Sequence, residues 1–211
     1  MTVLFRLDAD ARSIARQFGA YSGNDPWAGG HVAPGGFAPV ITEGREFVAG
    51  PGAARQTRRM VPRLWGVPPP PSASYNARSV LSVANPDSPF WIGNLRNREF
   101  RCLVPATSFM VWGSGTDYEG RRLRHWLAPE GEPLFAFAGL WKDSEVPSFA
   151  LLTRPATDDL RALGCERMPL VLPGHDKARD LWLRGGWDRA SALLETDPEA
   201  ELRELPAPSR A

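Results

Sequence analysis

Residues 100–112 read FRCLVPATSFMVW, and their reading decides the fold class. Two short runs, FRCLVPA and SFMVW, stand almost end to end and are rich in aromatic and β-branched side chains. The same texture returns downstream in RHWLA (124–128), PLFAFAGLW (133–141) and SFALLT (148–153). Each run is bounded by Gly, Pro, Asp or Ser. Short runs of this composition at close spacing predict a series of antiparallel strands.

Working outward toward the N-terminus, Thr2 to Leu7 alternates well enough for a further strand. Asp8 or Asp10 can cap a short helix to about Phe18, with Ile14 and Phe18 on one face. Residues 19–36 read as loop. FAPVI (37–41) and REFVAG (45–50) suggest a hairpin with Glu43-Gly44 at its turn. Arg55, Arg58 and Arg59 then form a basic cluster. PPPPSAS (68–74) reads as a surface loop of polyproline character, because proline lacks the N–H and fixes φ.

Toward the C-terminus, TDDLRALG (157–164) is a short helix capped by Thr157 and stopped by Gly164. MPLVL (168–172) is a strand. GHDKARDLWLRGG (174–186) is an amphipathic helix with Leu181, Trp182 and Ala178 turned inward, and WDRASALLE (187–195) is a last helix. The acidic, then proline-rich tail is expected to fray. The class is α+β: an antiparallel, barrel-like sheet with peripheral helices. One domain is expected over 1–195, with a frayed tail over 196–211.

The 211 residues suffice to bury a sizeable core. Hydrophobic content of 43% and charged content of 23% place the chain among ordinary globular proteins. A formal net charge of +1 excludes a global basic field, though not a local one. No apolar run approaches the ~20 residues of a membrane span, and the N-terminus does not read as a signal peptide. A soluble, cytoplasmic and monomeric protein is expected. The two cysteines, Cys102 and Cys165, make neither a disulfide framework nor a CxxC metal site.

Eight tryptophans are many for this length, and most are expected in the core. A minority can serve as stacking platforms for unpaired bases, a role that pairs naturally with arginine. No Gly-rich phosphate loop, HExxH or GxSxG pattern appears. His31, His125 and His175 lie scattered without metal spacing, so neither a metal nor a cofactor is expected.

The order of motifs adds a resemblance. HVAP (31–34), WGVPP (65–69), YNAR (75–78), RCLVPATSFMVW (101–112), FAFAGLW (135–141), FALLT (149–153) and ERMPLVL (166–172) occur in one chain. Together they resemble the SOS-response-associated peptidase (SRAP) family of abasic-site processing proteins over about residues 1–184. That family's pattern runs roughly NVAP, WGLIP, NARAET, RRCLVPAxGFYEW, AGLW and HDRMPVIL. The resemblance implies an α+β, barrel-containing fold and a distinctive chemistry. The initiator Met is removed and a cysteine becomes N-terminal. Its α-amine attacks the ring-opened aldehyde of an abasic site in single-stranded DNA, and its thiol closes a thiazolidine. The Asn of NAR, the Glu of GFYEW and the His of HDRMP surround the reaction. Arginines hold phosphates, and a tryptophan or its apolar neighbours wedge the bases.

By the same resemblance, Asn76, Arg78, Arg167, Trp65 and Trp112 stand at matching positions. Arg78 and Arg167 are expected on phosphates, Asn76 beside the reaction, and Trp65 and Trp112 against DNA. The reacting groups depart from the pattern. Thr2 replaces the N-terminal cysteine and Leu4 a phosphate-binding arginine. Val111 replaces the Glu of GFYEW, Val80 the Glu of NARAET, and Cys165 the His of HDRMP. If Met1 is trimmed, the α-amine of Thr2 titrates near pH ~8 and can form a Schiff base. The Thr2 hydroxyl closes a weaker ring than a thiol. Each missing general acid or base costs about 10²–10⁴-fold. Cys165 has two readings: a small hydrophobe filling the space of a lost ring, or a displaced nucleophile activated by Arg167 and opposed by Glu166.

The expectation is a divergent SRAP-like protein that binds single-stranded or gapped DNA, including abasic DNA, with crosslinking and autopeptidase chemistry impaired or altered. Its rivals are a catalytically dead relative with a protein-binding or regulatory role, and a thiol enzyme built on Cys165.

Overall fold

The two halves of residues 100–112 enter different sheets in the computed structural model, which describes residues 4–43, 57–73, 78–196 and 200–206. The first elements are β1 (Leu4–Leu7), α1 (Ala11–Phe18), β2 (Gly30–Val32), β3 (Phe37–Thr42), β4 (Arg59–Trp65), β5 (Ser82–Val83) and α2 (Ile92–Arg96). The central strands are β6 (Arg101–Ala106), β7 (Ser108–Thr116), β8 (Arg122–Pro129), β9 (Phe135–Lys142) and β10 (Ser148–Pro155). Then come α3 (Asp158–Ala162), β11 (Arg167–Pro169), α4 (Asp176–Arg184), α5 (Trp187–Ala190) and β12 (Leu202–Leu205).

One sheet runs β12-β8-β7-β1-β2, antiparallel throughout. In the other, β10, β4, β3, β6 and β9 pair in order, and β9 pairs back to β10. The result is a closed ring, with β5 and β11 added on β10. The expected α+β, barrel-like architecture is therefore present. Two points go beyond expectation: there are two sheets, and β10 meets β4 and β5 in parallel. The switch between sheets falls at Thr107. Its N–H donates to the Arg6 carbonyl at 2.7 Å, and its hydroxyl oxygen accepts from the Asp8 N–H at 3.1 Å.

Strand periodicity of two explains the two cores. All six residues of β6 are buried. Cys102, Val104 and Ala106 pack with Phe109, Phe137 and Phe149, between the ring and the other sheet. Leu103 faces the opposite way, into a second cluster completed by Ile14 and Phe18 of α1 and Trp182 of α4. Aromatic pairs knit the first cluster, Phe5–Trp65 at 5.2 Å and Phe135–Phe137 at 5.3 Å among them. Each such pair contributes about 0.5–1.5 kcal/mol beyond its buried area.

The helices close the second cluster. Asp10 caps α1 by accepting from the Ser13 N–H at 2.7 Å. Helix α4 buries Ala178, Trp182 and Leu183, with Leu181 half-buried. The Trp182 indole donates to the Cys102 carbonyl at 2.9 Å, and Arg101 donates to the Gly185 carbonyl. Burial, with Arg98 nearby, lowers the Arg101 pKa to about 10, so the group stays charged at neutral pH.

Several local expectations change. β3 pairs with β4; residues 45–50, its expected partner, lie outside the described residues. Glu43 is buried rather than solvated at a turn tip. Its carboxylate takes Arg58 Nε at 3.2 Å and Arg184 Nε at 2.6 Å, and both arginines also reach Asp180. Arg58 is thus an internal tie between the β3 end, β4 and α4, not a surface cation. The MPLVL strand is regular only to Pro169. Leu170 and Leu172 then donate to the Leu152 and Ala136 carbonyls, wedging the chain between β10 and β9. Thr157 makes no side-chain cap. The tail expected to fray supplies β12, whose Leu202–Leu205 pairs with Trp126–Pro129 of β8. Among the described residues, no helix is long and apolar enough to cross a membrane.

Candidate nucleic-acid interface

Helix α3 ends in a turn that delivers Cys165 to the edge of β7. Gly164 holds φ +89°, and a Cβ there would lie 2.5 Å from Ser114 Cβ, so this close approach requires glycine. The turn docks through two bonds. Ser114 N–H donates to the Leu163 carbonyl at 2.8 Å, and Cys165 Sγ donates to the Trp112 carbonyl at 3.2 Å. Cys165 is only 2% exposed. Burial pushes its thiol pKa up, with Arg122 among the charges that oppose the rise.

The geometry favours the packing reading of Cys165 over the nucleophile. A buried thiol that donates to a carbonyl is in its neutral form. Arg167, expected to activate it, is occupied elsewhere. Its Nε donates to Thr153 Oγ1 at 3.1 Å, and its Nη2 donates to the Thr153 and Ala84 carbonyls at 2.6 and 3.2 Å. Cys102 is fully buried and its pKa is pushed up further still by desolvation. A disulfide-exchange reagent at neutral pH is therefore expected to label neither thiol in the folded protein within minutes, and both after denaturation. Rapid labelling of Cys165 in the folded protein would contradict this arrangement.

Beyond that docking point the β7–β8 hairpin presents a basic and aromatic surface. Trp112 lies opposite Arg124 in the register. The Arg122 guanidinium sits 5.7 Å from the centre of the Trp112 ring and donates to the Gly113 carbonyl at 3.2 Å. Trp112 is half-buried, and Arg121, Arg122 and Arg124 are exposed. These four residues line an open depression of about 450 Å³. Arg121 is ion-paired to Asp117 and Glu119, so Arg122 and Arg124 supply its positive edge. An anchored indole beside guanidinium groups suits one unpaired base and its flanking phosphates.

The other expected site residues fall differently. Trp65 is 1% exposed, set between Phe5 and Phe149, and its indole donates to the Leu81 carbonyl at 3.1 Å. Its expected place against DNA is corrected: the ring offers no free face and belongs to the core. Arg78 is exposed, two residues before Val80, which bridges Val67 of the WGVPP segment. Val111 is fully buried. Thr2 and Asn76 lie outside the described residues. Among the described residues no group of three or more His, Cys, Asp or Glu side chains could hold a metal ion.

Sequence reasoning missed Arg121, Arg122 and Arg124. The signal was present as the run Arg-Arg-Leu-Arg directly before His125-Trp126. It became informative only once the hairpin placed those residues beside Trp112.

A family model described as SOS response associated peptidase (SRAP) matches residues 1–210, beyond the span of about 1–184 that the motifs suggested. No curated protein matches the chain. Among solved structures, a protein from Bacteroides thetaiotaomicron superposes with a TM-score of 0.70 at 16% identity, covering 97% of this chain and 92% of that one. A protein from Bordetella bronchiseptica gives 0.67 at 18% identity, covering 97% and 99%. A phage-related protein from Bordetella bronchiseptica gives 0.63 at 16% identity, covering 96% and 93%. At these identities the structures share the fold.

Proposed function

We propose a function from one premise: the chain belongs to the SOS response associated peptidase (SRAP) family, and so is a DNA-damage-associated protein. In this reading it binds single-stranded DNA, abasic DNA included, without forming a lasting crosslink. The observation that carries the reading is the Trp112 depression, where a half-buried indole is edged by Arg122 and Arg124. A base stacks on Trp112 while the arginines neutralise the adjoining phosphates. Arg78 and Arg167 extend the phosphate track, with Arg167 held rigid by its bonds to Thr153 and Ala84.

The covalent chemistry is altered. Val111 offers no carboxylate, and Cys165 offers a buried neutral thiol rather than an imidazole. Thr2 supplies at most an α-amine and a hydroxyl. The reaction therefore stops at a reversible Schiff base, formed as the amine nitrogen bonds the aldehyde carbon and the oxygen leaves as water. Purified protein mixed with abasic single-stranded DNA is expected to give no heat-stable band on a denaturing gel. The same mixture treated with borohydride should give one. A heat-stable band without borohydride would mean that Thr2 closes a lasting ring. No band under either condition would remove amine chemistry from the reading.

The burial of Val111 and Cys165 favours one second reading, a relative without catalysis that serves a protein-binding or regulatory role. In that case neither band forms and single-stranded DNA does not bind.

A further inference from the structure

We propose that Tyr118 is a second stacking residue, which lengthens the binding track by holding an unpaired base beyond the one on Trp112. The inference rests on the single-stranded DNA reading of the Trp112 depression.

Tyr118 occupies the tip of the β7–β8 hairpin and is 94% exposed. A single exposed aromatic is unremarkable on a protein surface. This one is held out on a turn built to stay rigid. Asp117 N–H donates to the Arg121 carbonyl at 2.8 Å, and Gly120 N–H donates to the Asp117 carbonyl at 3.0 Å. Asp117 Oδ1 accepts from the Glu119 and Arg121 N–H groups, both at 2.9 Å. The Arg121 guanidinium closes the turn through Asp117 Oδ2 at 3.0 Å and Glu119 at 2.6 Å. Gly120, at φ +74°, adopts the left-handed conformation that the turn needs. A ring carried on a fixed backbone has only its own side-chain torsions to lose when a base stacks on it.

Position along the hairpin supplies the second argument. From Trp112 to Thr116 the ladder advances only from Arg124 to Arg122 on β8, about 7 Å at about 3.3 Å per residue, because β7 bulges there; Tyr118 stands just past that end. Arg122 pairs with Thr116 in the register, between Trp112 and Tyr118 along the hairpin, and sets its guanidinium 5.7 Å from the centre of the Trp112 ring. The order along the hairpin is thus aromatic, cation, aromatic, the alternation that tracks an unpaired strand. At the tip itself, Asp117 and Glu119 are matched against Arg121 alone. Tyr118 therefore contributes a base contact and no phosphate contact.

That division sets the test. Oligothymidylates of four to twelve nucleotides are titrated into wild-type protein, Tyr118→Ala and Tyr118→Phe, following fluorescence anisotropy at several salt concentrations. Wild type is expected to gain affinity over the lengths that first reach from Trp112 to Tyr118. Tyr118→Ala loses about five- to tenfold on the long strands and nothing on the shortest, with an unchanged salt slope. Tyr118→Phe keeps the wild-type curve. A fully exposed ring can be truncated without disturbing the core, so a loss is not a folding artefact. Identical curves for wild type and Tyr118→Ala overturn the proposal while leaving the Trp112 reading intact. No binding by wild type at any length overturns both.

Discussion

Trp112→Ala is expected to weaken single-stranded DNA binding by about 10- to 100-fold. Stacking of one base on an aromatic ring is worth about 1–3 kcal/mol, and the upper part of that range applies to an indole anchored by strand pairing and edged by Arg122. Trp112→Phe should recover much of the loss, because a smaller ring still offers a face. The check is anisotropy of a labelled oligonucleotide, with the melting temperature of each variant measured in parallel. A Trp112→Ala protein that folds and binds like wild type would place the DNA elsewhere. Truncation of this half-buried side chain also costs some stability, so Trp112→Phe is the variant that separates binding from packing.

Glu43→Ala carries the largest expected effect on stability, about 3–5 kcal/mol. Removing one partner of a buried ion pair leaves uncompensated charge in a poorly solvated place. Here two arginines converge on one carboxylate that is 6% exposed. Asp180 remains to accept from both and keeps the loss toward the lower end. At about 2–4 °C per kcal/mol for a chain of this size, the melting temperature should fall by roughly 6–12 °C. Glu43→Gln keeps the shape and removes the charge, and should fall between. A shift of less than a few degrees for Glu43→Ala would mean that the network contributes little.

Glu43 also marks where sequence reasoning reached its limit. Glu-Gly between two apolar runs has the local chemistry of an exposed turn. Its burial depends on Arg58 and Arg184, the latter 141 residues away in sequence. The tail fails in the same way. Leu202–Leu205 is short and half polar, and it becomes a strand only because β8 offers an edge of four residues. By contrast, FRCLVPA, SFMVW and PLFAFAGLW carry their strand character in their own β-branched and aromatic side chains, and each is found as a strand. Thr107 shows the boundary between the two cases. The two runs beside it were legible, but their separation into different sheets depends on bonds to Arg6 and Asp8 a hundred residues earlier.

The candidate site was legible in part. Trp112 was reached through its motif, and the structure sets it at a basic surface. Trp65 was reached the same way and lies in the core, because a motif preserves residue type without reporting which face of a strand turns inward. Cys165 and Arg167, two positions apart in the same motif, are separated by strand geometry. The thiol turns to Trp112 and the guanidinium to Thr153. The arginines of the hairpin belong to no motif and needed the register of β7 on β8 to acquire meaning.

The most direct test of single-stranded DNA binding is a salt titration. Labelled single strands, intact and abasic, and a duplex of the same sequence are bound to the protein at rising salt concentration. The account predicts clear preference for both single strands over the duplex. It also predicts a log–log slope of about −2 to −3, as expected when Arg78, Arg122, Arg124 and Arg167 neutralise phosphates at about −0.7 each. Equal affinity for duplex and single strands, or a slope near zero, would contradict it.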